Sequence, residues 1–258
     1  MIISDSHRYL FIEQPHTACT AIRNELVELY AGRPILDKHA TYADFLRVAT
    51  AEQKRYFIFS GIRSPLDEAV SVYFKYRTDH KGRYSTDPDS LSGIERETFD
   101  YVVAGESDYA RYLRRFYRRP FDNTTLIAHH RFDHIIRFEH LQRDFGRALE
   151  LLGLEQVRPL PVVNKTSQRG SHLDYYPPEI RPHAARVFGP FMRKWRYPLP
   201  SDWVGIRVPG SWVVAFRVLG VGRYVSRRYL RPRANPAARA ALAIIDPARR
   251  LAYRVLGW

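Results

Sequence analysis

His16, Thr17 and Thr20 place three side-chain donors within five consecutive positions of the segment YLFIEQPHTACTAIRNELVELY, residues 9–30. Donors set this closely suit an oxyanion such as phosphate or sulfate. The chain's single cysteine, Cys19, lies among them, but a nucleophilic thiol needs a base partner, and the sequence identifies none. Further on, Arg63 in IRSPLDEAVSVYF offers a planar guanidinium suited to a second oxyanion.

Such groups act only if the backbone holds them. Tyr9 to Ile12 is an aromatic and β-branched run of strand length, of the kind buried in a parallel sheet. Pro15 interrupts it. Thr20 is expected to cap a helix whose apolar face is Ile22, Leu26 and Leu29 and which ends by Gly32. The stretch from Gln14 to Thr20 is then a strand-to-helix loop, which turns unpaired N–H groups and the positive end of the helix dipole toward one point. It has no glycine and does not fit the nucleotide P-loop pattern, so ATP or GTP is not the expected ligand. An ordinary strand-loop-helix unit looks the same in isolation, and the rest of the chain must decide.

Tyr56 to Ile62 is a second continuous apolar run, followed by Arg63, Ser64 as N-cap and Pro65 at the first helical position. A parallel sheet would bring its end to the same edge as the first loop, where open α/β folds bind ligands. Gly32 to Pro34 is read as a turn, a short helix runs through Val48, and His80 to Leu91 is a polar surface loop. Helices are expected over 94–104, 108–117, the stretch HLQRDFGRALELLGL and 178–193, with short strands at 125–128 and 134–138. Arg111, Arg114, Arg115, Arg118 and Arg119 form either a solvated helix face or a patch for an acidic substrate.

The formal net charge of +14 calls for an anionic partner: nucleic acid, acidic polysaccharide, nucleotide-like cofactor or anionic membrane. Its distribution narrows the choice. From Gly205 onward there are eleven arginines, no lysine and one acid, Asp246, so most of the excess lies there. The chain is therefore divided into a main domain, residues 1–204, and a basic helical tail, residues 205–258. The tail's apolar and arginine-rich runs have the composition of segments lying in a membrane interface, or of helices packed on the domain with solvated arginines. No run is long enough to span a bilayer, the amino end does not read as a signal peptide, and a lone cysteine fits a reducing compartment. The expected location is cytoplasmic, with the tail offering a peripheral hold on the inner face of a membrane.

Three separated stretches share a resemblance. QPHTACTAIRNEL resembles the 5'-phosphosulfate loop of carbohydrate sulfotransferases, Pro-Lys-Thr-small-small-Thr-Ser. IRSPLDEAVSVYF is similar to their 3'-phosphate element, with Arg63 and, eight residues on, Ser71. IIRFEHLQRDFGRALELLGL followed by Asn164-Lys165-Thr166 is similar to their later strand, helix and Asn-Lys-Ser/Thr loop. The resemblance covers about residues 8 to 200. It implies an α/β fold with a P-loop-NTPase-like parallel sheet flanked by helices, and a sulfuryl group moved from PAPS (3'-phosphoadenosine 5'-phosphosulfate, leaving PAP) to a hydroxyl of a carbohydrate or glycolipid. It also implies that Pro15, His16, Thr17, Ala18, Cys19, Thr20 and Ala21 hold the phosphosulfate, and Arg63 and Ser71 the 3'-phosphate. Arg169 is either a further contact to that phosphate or a solvated charge. No metal is called for.

KHATYADF matches the pattern His-small-x-Tyr-x-Asp-Phe of uronyl 2-O-sulfotransferases, which implies His39 as the base that takes the acceptor proton. The chain departs from the family where the loop lysine should be, which is His16. A protonated histidine can serve the leaving phosphate in its place, with its charge lost as pH rises. Two other classes of function remain: a phosphotransferase, which would need magnesium ligands not seen here, and a basic module binding a polyanion without catalysis. Nucleic acid is not the expected partner.

Overall fold

A computed structural model describes residues 1–105, 108–123, 132–161 and 170–230. It is an α/β structure whose mixed five-stranded sheet is flanked by helices. The chain divides into two compact units interleaved in sequence. The first comprises residues 1–62, 122–163 and 217–258, the second residues 63–121 and 164–216.

The first unit holds the sheet. Its strands are β1 (Ile2–Ser4), β2 (Tyr9–Ile12), β3 (Arg33–Pro34), β4 (Phe57–Ile62) and β5 (His134–Arg137), in the order β3-β1-β2-β4-β5. β2, β4 and β5 are parallel, with Ile12 opposite Ser60 and Ile62 opposite Arg137. β1 runs antiparallel to both β2 and β3. A wholly parallel sheet, as expected from the sequence, is therefore corrected to a parallel half extended by an antiparallel edge. The pair Arg33–Pro34 is part of that edge and not merely a turn.

Period-two alternation along β2 separates two apolar layers. Tyr9 and Phe11 pack with Ile22 and Leu26 of α1 (Cys19–Leu29) and with Phe145 and Leu149 of a later helix. Leu10 and Ile12 turn the other way, against Tyr42 and Phe45 of α2 (Tyr42–Val48). All four β2 side chains are at most 1% exposed, and the one polar group among them, the Tyr9 hydroxyl, donates to the Tyr30 carbonyl at 2.9 Å. Thr41 caps α2 through a reciprocal box with Asp44.

The second unit is built on α3 (Pro65–Arg77), which follows Ser64 and takes Pro65 at its first turn as expected. Around it lie α4 (Arg83–Thr86), α5 (Gly93–Val103) and α6 (Tyr109–Phe116). The stretch from His80 to Leu91, expected as a polar loop, is instead a series of short helical turns. Its buried Tyr84 and Leu91 anchor them to the core. Returning to the first unit, α7 (Leu141–Leu151) follows β5, and the Asp144 carboxylate accepts the Arg137 backbone N–H at 2.9 Å. In the second unit α8 (Arg181–Trp195) completes an aromatic core with Tyr73, Tyr109, Tyr112, Tyr176 and Trp203. Within it Tyr176 donates to the Leu66 carbonyl at 2.9 Å and its hydroxyl meets that of Tyr109 at 2.5 Å. Finally α9 (Gly210–Val225) runs on into a π-helical turn, Ser226–Leu230.

Candidate active site

The loop after β2 belongs to the first unit. Glu13 and Gln14 are buried, Pro15 and His16 are half-buried, and Thr17 is fully buried. The backbone changes hand along it: His16 and Ala18 both have φ of 61°, while Thr17 between them stays at negative φ. Left-handed backbone in a residue with a Cβ costs about 1 kcal/mol each. It also turns successive N–H groups toward the same side, the arrangement of an anion-binding nest. The Thr17 hydroxyl does not point outward as a spare donor; it donates to the Gln14 carbonyl at 3.0 Å and ties the loop to itself.

Thr20 does not cap α1. The helix begins one residue earlier, at Cys19, with left-handed Ala18 in the cap position and no side chain accepting from the first turn. The expectation fails because hydroxyl type alone does not set a cap; the backbone must be extended before the helix, and here it is left-handed. The consequence favours an anion: first-turn N–H groups lack a side-chain partner, and no acid stands in that turn. Cys19 is 5% exposed, and burial pushes its thiol pKa up, so it is a packed residue and not a nucleophile.

The loop rests on β4. A Cβ placed on Gly61 would lie 2.7 Å from Thr17 Oγ1 and 2.9 Å from Thr17 Cβ, so only glycine lets the loop sit there. On the preceding residue, Ser60 Oγ donates to the Ile12 carbonyl at 2.7 Å, joining the ends of the two parallel strands.

His39 reaches this loop from 26 residues away. Its Nδ1 is 2.9 Å from the Glu13 carbonyl, which carries no hydrogen, so Nδ1 is the protonated nitrogen and Nε2 keeps its lone pair. Partial burial lowers the ring's pKa, the Glu13 carbonyl opposes this, and Lys38 adds to the lowering. The neutral form is the one a base needs. Lys38 is the residue the sequence reading overlooked: its Nζ donates to Thr20 Oγ1 at 2.8 Å, setting an ammonium against the first turn of α1. The same loop lacks its expected lysine at position 16. Adjacency to His39 was the one available signal, and only a contact across 18 residues gives it meaning.

Glu13 anchors the cluster from behind. Its buried carboxylate pairs with Arg23 at 2.7 Å and with the Met1 nitrogen. Ala21, expected among the loop contacts, is 2% exposed and packs inward, so only its backbone could meet a ligand.

The second unit begins with Arg63, the residue after β4. Arg63 is 7% exposed and its Nε donates to Asp67 at 2.7 Å; Ser71, two turns into α3, is 1% exposed. Between them Glu68 is buried with Oε2 unpartnered. Burial pushes its pKa up to about 8 against the pull of Arg63 and Lys75, so at neutral pH it is largely the neutral acid. The five arginines of residues 111–119 are exposed, as a solvated face would be. Arg115 pairs with Glu97, and Arg114 donates to the Glu179 carbonyl. Arg169, the Asn164 to Thr166 loop and the expected strand at 125–128 lie outside the described residues.

The structure thus joins the loop of residues 15–21 with His39 and Lys38 in one unit, and in the other sets Arg63 just before α3 and Ser71 two turns into it. No protein-family model, curated protein or solved structure matches the chain.

Proposed function

We propose that the chain is a PAPS-dependent sulfotransferase acting on a hydroxyl of a carbohydrate or glycolipid, on a sheet of the P-loop-NTPase-like kind. The observation that carries this reading is the meeting of three features at one turn. A loop of alternating backbone hand precedes an uncapped helix, an ammonium stands at that helix's first turn, and a histidine nearby has a free Nε2. The donor supplies an activated sulfuryl group whose acceptance leaves a doubly charged phosphate behind.

Each residue then has a task. His39 Nε2 takes the proton of the acceptor hydroxyl as its oxygen bonds to sulfur and the bond from sulfur to the phosphate oxygen breaks in line. Lys38, His16 and the N–H groups from Thr17 to Ala21 hold the phosphate oxygen that gains charge. Arg63 and Ser71 suit the 3'-phosphate. A guanidinium already 7% exposed loses little further hydration on pairing, and its partner Asp67 keeps it oriented. Glu68 beside it, held as the neutral acid, adds no negative charge to repel an anion.

Calorimetry with PAP tests the reading. Binding is expected, and Arg63→Ala should weaken it at least about tenfold. A chain that binds heparin but shows no heat with PAP is a polyanion-binding module, and the proposal is then wrong. Incubation with labelled PAPS and a panel of polysaccharide and glycolipid acceptors follows for the chemistry itself.

A further inference from the structure

From Val214 the helix α9 carries valine at every turn on one side. Val214, Val218, Val221 and Val225 are 60%, 64%, 64% and 40% exposed, and Tyr229 in the turn beyond is 62% exposed. Their spacing of four, three, four and four residues is the i, i+4, i+7 repeat of a single helical face. The helix's other residues are engaged differently. Ala215 and Phe216 are 9% and 5% exposed, and Arg223 pairs with Asp122. A protein surface seldom keeps a continuous apolar ridge in water without a partner for it.

Charge decides which partner. Between Gly210 and Leu230 there are four arginines and no acidic residue. Arg217 is exposed immediately before Val218, and the Arg228 guanidinium lies 5.4 Å from the centroid of the Tyr229 ring at the far end of the ridge. A second copy of the chain, meeting this face with its own, would bring two acid-free arginine helices together. The chain's own residues 231–258 carry six arginines and only Asp246, so they too would add like charge. An anionic lipid surface has the opposite sign and an apolar interior to receive valine and tyrosine.

We infer that α9 lies in the headgroup layer of an anionic membrane through the face of Val214, Val218, Val221, Val225 and Tyr229, with Arg217 and Arg228 against lipid phosphates. The helix lies along the surface. No helix among the described residues is long and apolar enough to cross a membrane.

The test uses the full chain and vesicles of phosphatidylcholine, alone or mixed with phosphatidylglycerol. Sedimentation with the mixed vesicles is expected, falling as salt rises. Val218→Ser, Val221→Ser and Val225→Ser together should weaken it at least about tenfold, since each removes apolar surface that the lipid would take from water. These positions are exposed, so circular dichroism should be unchanged. Arg217→Gln with Arg228→Gln should weaken the preference for the anionic lipid. A Val221→Cys chain in a Cys19→Ser background, carrying an environment-sensitive dye, should emit as if in water until anionic vesicles are added. Undiminished sedimentation of the triple valine variant overturns the inference. So does dye emission already shifted without lipid, which would place a second copy or residues 231–258 on the ridge.

Discussion

At the scale of single residues, the proposed chemistry turns on which nitrogen of His39 is free. The Glu13 carbonyl fixes the proton on Nδ1, and burial holds the ring below the ordinary imidazole value, toward the neutral form that the proposed base needs. The sign is settled by which form works. Protonation disables a base, so kcat/KM should rise with pH through a value below about 6.5 and then level off. His39→Ala should cost about 10²- to 10⁴-fold and remove that acidic limb, while PAP affinity stays. An acidic limb that survives the substitution assigns the base elsewhere. In the proposed reaction Lys38 and His16 act on the departing side. Lys38→Ala should lower kcat by about tenfold to a hundredfold with little change in KM for PAPS, because the charge it answers develops in the transition state. The protonated form of His16 is lost as pH rises, so activity should fall on the alkaline side unless the loop N–H groups suffice, and His16→Lys should abolish such a limb. A flat alkaline profile in the parent chain removes His16 from the reaction.

At the scale of elements, the sequence carried the long ones and lost the short. β2, β4, α1, α3 and α7 were legible because their periodicity runs over several residues and their ends are marked by Pro15, Pro65 and Gly153. β1 and β3 were not, since Ile2–Ser4 and Arg33–Pro34 are strands only by virtue of pairing with each other and with β2. The left-handed Ala18 could not be read from composition either, and Thr20 was the wrong cap for that reason. Of the candidate site, the loop, Arg63, Ser71 and His39 were proposed from residue types and a family resemblance, whereas the place of Lys38 beside the loop needed the fold. α3 holds a buried acid that sequence reading passed over, and it makes stability depend on pH. Glu68 has a folded pKa of about 8, raised above the unfolded carboxyl value near 4 by burial. The folded state therefore holds a proton that the unfolded state has released, and stability falls as pH rises from about 4 to about 8. Glu68→Gln keeps the shape without the ionisation. Urea unfolding should show it more stable than the parent at pH 8, by up to a few kcal/mol, with the difference shrinking toward pH 5. A constant difference across that range would mean that Glu68 is already charged in the fold.

At the scale of the whole molecule, charge is partitioned and the two parts should answer to salt differently. Roughly ten of the fourteen excess positive charges lie beyond residue 204. The residues proposed to hold PAP are few and sheltered: Arg63 and Ser71 are 7% and 1% exposed, and Thr17 of the loop is buried. Sheltered pairs are screened far less than diffuse surface charge, whose reach in physiological salt is about 8 Å. PAP affinity should therefore drop less than about tenfold between low and physiological salt, while binding to anionic vesicles drops by far more over the same interval. Calorimetry for the one and sedimentation for the other, on the same preparation, give both slopes. Two equally steep slopes would mean that PAP is held by diffuse charge, and the enzymatic reading would lose its anion sites; a steep vesicle slope beside a shallow PAP slope assigns the arginines to the membrane and leaves Arg63 to the donor.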